Sequence, residues 1–268
     1  PETLTGPRTR TLPYRGNIDA AFALPVELSA ENHGPLFRHA LGNVVTTGTG
    51  PYFHVITPGA LPVGAVIERD FGANITDAAR YEKFNGARVA SMEIDVPQQG
   101  YVSAVFNFLA AKSTPGAAPV DAVLDDTGHT PFSAFSIVGM TEGGVETTLI
   151  KSAKFKVDND LDADGYTINP AAPGTRTQLP EGFSTVTGEI VAVFNSAALL
   201  NKAINGTPSS LRVALARGDG GGTLGNELIY LECSNLVYER KSPEVPGPKG
   251  IVATLSFRGY GANQLRIE

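Results

Sequence analysis

The chain has 268 residues, 42% hydrophobic and 18% charged, which is enough apolar material for the core of one large domain or two modest ones. A net charge of -6 and a pI near 5.3 argue against a surface built to grip nucleic acid, which needs clustered Lys and Arg. A single cysteine, Cys233, excludes an internal disulfide framework, and the longest nearly apolar run, residues 101–111, is too short to span a bilayer as a helix.

Thirty Gly and nineteen Pro punctuate segments rich in Val, Ile, Thr and Phe, the pattern of many short strands and hence of a mainly β protein. Residues 1–13 are polar, carry Arg8 and Arg10, and read as an arm ordered by a partner. The opening PETLTGPRTR has no charged-then-apolar signal pattern, so maturation in a cytoplasm is expected. Residues 14–24 form the first expected strand, and residues 35–41 a short helix opened by Pro35 and closed by Gly42. The stretch NVVTTGTGP (43–51) is turn-rich, with short strands expected at 52–56 and 63–70. Residues 84–110 read as a long hairpin around a Pro/Gly turn. By composition STPGAAP (113–119) is the best internal linker, continuing as a loop to residue 131, and strands follow at 132–140 and 145–157.

The clearest change of period lies in TVTGEIVAVFNSAALLNKAING (185–206). Val186, Gly188, Ile190, Ala192 and Phe194 alternate as a strand with one buried face. Beyond it Ser196 is a good N-cap, Ala197, Leu200, Ala203 and Ile204 recur at helical spacing, and Gly206 supplies a left-handed C-cap. Strands at 211–216, 228–239 and 251–257 complete the chain. This strand and helix recur in GNIDAAF (16–22) with the helix at 35–41, and the strand-turn-strand at 84–108 recurs at 234–257. The expectation is an internal duplication: an arm at 1–13, a first module with loop insertions at 14–131 and a second at 132–268.

Candidate chemistry is thin. Asp160, Asp162, Asp164 and Gly165 read D-x-D-x-D-G, but Ala171 stands where a calcium loop needs its bidentate Glu, so an ordinary turn is expected. GDGGG (218–222) lacks the GK[ST] of a phosphate cradle and reads as a hairpin loop. His33, His39, His54 and His129 have no metal-ligand spacing with one another or with Cys233, whose apolar strand context suggests a buried, inert thiol. Glu93 and Asp95 share one side of a strand, a pattern that solvated charge explains better than catalysis. No nucleophile-base motif is present, and no enzyme activity, metal or cofactor is expected.

FKVDNDLDADGY (155–166), then LPEG (179–182), VTGEIVAVFNSAALLNKA (186–203) and SLRVALARGDGGG (210–222), together with FNGARVASM (84–92) and residues 100–108, resemble the major tail tube proteins of long, non-contractile bacteriophage tails. The resemblance runs in order from about residue 14 to residue 257. It implies a β-sandwich or barrel module and a structural, virion-borne role: rings stacked into a hollow tube through which DNA leaves. It also implies partners, namely further copies of the chain, a tape measure protein and tail terminator or tip proteins, with DNA only in transit. The tube of a contractile secretion apparatus is the near alternative. A β-sandwich carbohydrate-binding module is a more distant one, which would show an exposed aromatic patch and is disfavoured by the absence of Trp.

If both halves are tube-like modules, three chains make a pseudo-sixfold ring; if they build one module, six are needed. Three is favoured. Glu93 and Asp95 are the lumen-lining candidates. Arg8 and Arg10 are the inter-ring candidates, with the arm and the loop at 113–131 expected to order against neighbouring rings.

Overall fold

In β1 (Ala20–Glu27) Ala20, Phe22, Leu24 and Val26 face a packed side while Ala21, Ala23, Pro25 and Glu27 face out. This alternation is typical of the protein, which is mainly β: a curled antiparallel sheet in the form of a half-barrel, with two short helices among the described residues. The computed structural model describes residues 13, 15–75, 79–123, 128, 130–194, 197–240, 251–262 and 264–268. β1 begins later than the expected 14–24, because the residues before it are held by a distant loop, as in the 2.8 Å bond from Ile18 N–H to the Gly174 carbonyl.

The helix α1 (Ala30–Leu41) starts five residues before the expected position, so Pro35 lies inside it and not in its first turn. Pro35 has no N–H to donate four residues back. The helix persists because its other face buries His33, Phe37, Ala40 and Leu41. Gly42, at φ 99°, turns the chain out of α1 straight into β2 (Gly42–Thr47), which pairs with β3 (Phe53–Pro58). The residues NVVTT thus form a strand and not the expected turn, since Val44 and Val45 pair with Ile56 and Val55.

β4 (Ala65–Asp70) leads to the long β5 (Tyr81–Val96), β6 (Ser103–Ala110) and β7 (Lys112–Gly116). β7 is a correction to the linker expected at 113–119: residues 112–116 pair with 81–85. Pro115 is tolerated there because this is a short edge strand. The second half opens later than the expected 132–140, with a 3-10 turn at Ala134–Ser136 followed by β8 (Ile137–Glu142). Then come β9 (Val145–Glu146), β10 (Ile150–Asp158), β11 (Thr185–Val193), α2 (Ala198–Asn205), β12 (Ser209–Ala216), β13 (Leu228–Tyr238), β14 (Val252–Gly259) and β15 (Arg266–Ile267). α2 ends on Gly206 in the left-handed conformation, as its sequence suggests. The Ser196 cap lies outside the described residues.

The strands are ordered β1-β6-β5-β10-β11-β14-β13-β12-β8-β9. Within this path one sequence of roles occurs twice: β1-β6-β5 and β11-β14-β13. Each run begins with the strand that precedes a helix and continues with the second and then the first arm of a hairpin. β10 stands between the runs, pairing with β5 on one side and β11 on the other. β5 serves two sheets, pairing with β4 and β7 early and with β6 and β10 late.

One face of the main sheet is apolar. Met92, Ile94, Phe106, Phe155, Val157, Val186, Ile190, Leu255 and Phe257 are almost fully buried. Burial of side chains of this size stabilises by about 1.5–3 kcal/mol each. α1 lies on this face, with the Phe37 and Phe106 rings 5.9 Å apart. Gly188 makes room for a tight cross-strand fit: it is in register with both Phe155 and Phe257, whose rings meet edge-on at 5.9 Å. A Cβ at residue 188 would fall inside the Phe257 ring and against the Lys154 carbonyl.

Candidate functional site

The opposite face of the same strands is polar and open in the single chain. Antiparallel register sets which residues share it. Asp95 lies opposite Ser103 and Lys154, Glu93 opposite Val105 and Lys156, and Ser91 opposite Asn107 and Asp158. Lys154 in turn lies opposite Glu189, which faces Ser256; Thr187 faces Arg258. Glu27 joins the row through Ser103. The face is therefore a lattice of alternating charge with a slight acidic excess.

Both lumen candidates lie on this face, as their parity requires, but they are not free carboxylates. Lys154 Nζ stands 3.9 Å from Glu93 and 3.8 Å from Asp95, with all three side chains roughly 40–50% exposed. Pairs this exposed contribute about 0–1 kcal/mol each, so their effect is on local potential more than on stability. The Asn107 amide donates to Ser91 Oγ at 2.9 Å. On the second hairpin, Val237 and Tyr238 are neighbours with opposite facings. Tyr238 is buried on the apolar side, while Val237 pairs with Arg258 on the polar one. Arg8 and Arg10 lie outside the described residues.

One end of the sheet is fastened by the loop at residues 159–184. Asn159, almost fully buried, donates its amide to the Ala40 carbonyl at the end of α1 (2.9 Å) and to the Val89 carbonyl (3.0 Å). Arg176, also buried, donates to the Ala163 and Ala110 carbonyls at 2.7 and 3.1 Å, pairs with Asp19 and packs over the Tyr166 ring. Arg88, at the bend of β5, donates to the Leu179 and Leu61 carbonyls and pairs with Glu181. The D-x-D-x-D-G stretch belongs to this clasp: Asp158 and Asp162 accept bonds from the backbone N–H groups of Asp160 and Asp164. Among the described residues no group of three or more His, Cys, Asp or Glu could hold a metal ion.

One polar cluster was invisible in sequence. Lys202 on α2 donates to both Glu142 oxygens (2.8 and 2.7 Å) and lies 3.1 Å from Ser209 Oγ, and Ser209 itself donates to Glu142 at 2.6 Å. A serine beside a lysine suggests a nucleophile with its base. Here, however, the ammonium protons and the hydroxyl are already committed to the carboxylate, and the group ties α2 to β8 and β12. Burial, and then the neighbouring Glu142, push the Tyr238 hydroxyl well above its ordinary value. Burial, with a contribution from Glu232, pushes the Cys233 thiol up to about 12. Of the histidines, His33 accepts the Ser29 N–H at 2.9 Å inside the start of α1, and His39 is held below its ordinary value by burial and Arg38. His129 lies outside the described residues.

Residues 1–259 match the model of a family described as phage tail tube protein. No curated protein matches the chain.

Proposed function

Because the chain belongs to the phage tail tube protein family, a structural family whose members assemble into the tube of the virion tail, we propose that three copies close into a pseudo-sixfold ring, that rings stack into a hollow tube, and that the polar face lines the channel through which DNA passes. The carrying observation is the doubled strand order, β1-β6-β5 and then β11-β14-β13, within one continuous sheet with one polar face. Two tandem modules account for this: residues 14–131 supply β1, β6 and β5, and residues 132–268 supply β10 and all that follows it along the sheet. The outer edge of β1 and the far end near β8 are the edges that neighbouring chains would join, which removes the open edges a single subunit carries. A mixed-charge wall suits a sliding polyanion, since its carboxylates outnumber its cations and Lys154 is already paired with Glu93 and Asp95, which leaves little purchase for phosphates.

A long, non-contractile tail is the setting we favour over the tube of a contractile apparatus. A tape measure protein inside the tube and terminator or tip proteins at its ends are the further partners. Native mass spectrometry of assembled rings tests the ring order: three chains support the tandem-module reading, and six remove it.

A second reading has one observation in its favour. Tyr52 and Phe53 are about 60% exposed beside a hollow of about 460 Å³ floored by Phe37 and Ile229, the kind of aromatic surface a carbohydrate-binding module needs. Titration with soluble glycans decides it: saturable binding lost in Tyr52→Ala supports this reading, and silence leaves the tube alone.

A further inference from the structure

The two ends of the main sheet carry unlike features. At the end where β5 turns into β6, Phe135 is 99% exposed, yet its backbone is tethered. Ser133 Oγ accepts the Phe135 N–H, Ser136 Oγ accepts the Ser133 N–H, and Ala134 N–H donates to the Gly100 carbonyl at 2.8 Å. Phe132, three residues earlier, is fully buried and bonded on both sides, to the Leu28 carbonyl and from the Val102 N–H. An aromatic ring held out by a pre-ordered turn loses little conformational entropy on contact, the property of an interface anchor. Tyr101, bridged to Ser133, and Val138 extend the apolar patch.

At the other end, where β10 leaves the sheet and β11 enters it, a hollow of about 300 Å³ is lined by Pro58, Leu61, Gly182, Phe183, Ala262 and Gln264. Phe183 is 91% exposed at its rim. Register places these features at opposite ends: Val96, beside the β5-β6 turn, pairs with Ala153, whereas Ser91 pairs with Asp158, next to the hollow's Asn159.

We propose that Phe135 is the stacking anchor of this chain, entering the Phe183-rimmed hollow at the opposite end of a second copy in the next layer. The occupant is a second copy because knob and hollow lie at opposite ends of the same strands. Copies related by translation fill every hollow and cover every knob, whereas a two-fold pair would set Phe135 against Phe135 and leave the hollow empty. Such a head-to-tail contact does not close on itself and so propagates. Repeated around each ring, it gains strength by multivalency. This inference rests on the tube reading above and adds the contact between layers.

The test uses the full chain assembled at high concentration, with electron microscopy of tube length, native mass spectrometry of rings and thermal melting. Phe135→Ala should melt as the parent does and still form rings, while mean tube length falls at least tenfold and Phe135→Tyr restores it. Oxidation of a Phe135→Cys/Phe183→Cys chain should give a covalent ladder beyond the dimer. Tubes of parental length in Phe135→Ala, or crosslinks only between two copies of position 135 or to a different tail protein, overturn the anchor and leave the tube reading standing. Failure of the parent chain to form layered assemblies overturns both.

Discussion

Lys154 and Asp95 face each other in register across the ladder that joins the two halves of the chain, Nζ 3.8 Å from the carboxylate, and the same ammonium lies 3.9 Å from Glu93. Replacing Glu93 and Asp95 together by Lys removes these pairs and surrounds Lys154 with like charge. The pairs are exposed, so folding should survive with a loss of under about 2 kcal/mol. The face should then bind duplex DNA at low salt, with affinity falling steeply as salt rises, and DNA ejection through assembled tubes should slow or stall. Loss of folding would make the carboxylates structural partners. Unchanged DNA binding and ejection at low salt would remove them from the lumen.

Asn159→Ala leaves the Ala40 and Val89 carbonyls without their side-chain donor in a buried setting. Such groups cost about 1–3 kcal/mol each when orphaned. Urea unfolding should show a loss of stability of that order, read as a lower midpoint with an unchanged slope. A shift under about 0.5 kcal/mol would mean that water replaces the amide and that α1 does not depend on this tie.

How far the sequence reveals this arrangement depends on the contrast between faces. In β5 the alternation of Met92 and Ile94 with Glu93 and Asp95 is unmistakable, and the structure keeps that parity. At Val237 and Tyr238 both residues are largely apolar, so only the fold reveals which one is buried. β2 was hidden because the glycines and proline just after it, Gly48, Gly50 and Pro51, make the whole stretch read as a turn, and β7 because Ser113, Pro115 and Gly116 locally favour turns; tertiary pairing overrides both. The pairing of Lys154 with Glu93 and Asp95 depends on the register of strands some sixty residues apart, which no local pattern records. The Lys202, Glu142 and Ser209 cluster was hidden for the same reason.

Gly188→Ala tests the core of the junction. A methyl group there would overlap the Phe257 ring and the Lys154 carbonyl, and a central strand has little freedom to shift. Overpacking of this kind costs about 1–3 kcal/mol and sometimes more. Reduced soluble yield and a lower melting temperature are expected, with partial recovery in Gly188→Ala/Phe257→Leu. A parental melting temperature would show that the ring swings aside.

Cys233 offers a pH test. Burial raises its thiol from the ordinary 9.0 to about 12, so the folded state favours the protonated form more than the unfolded state does. The contribution to stability is therefore complete below about pH 9 and is lost as the pH climbs from 9 towards 12. At pH 8 iodoacetamide should leave the folded chain unmodified and label it fully in denaturant. Rapid labelling without denaturant would mean that β13 opens locally.

The most direct test is a cryo-EM reconstruction of the assembled protein. Three chains per ring, with Glu93, Asp95, Lys154 and Arg258 lining a central channel, is the result expected. Six chains per ring, or the polar face turned to the outer surface, would contradict the account.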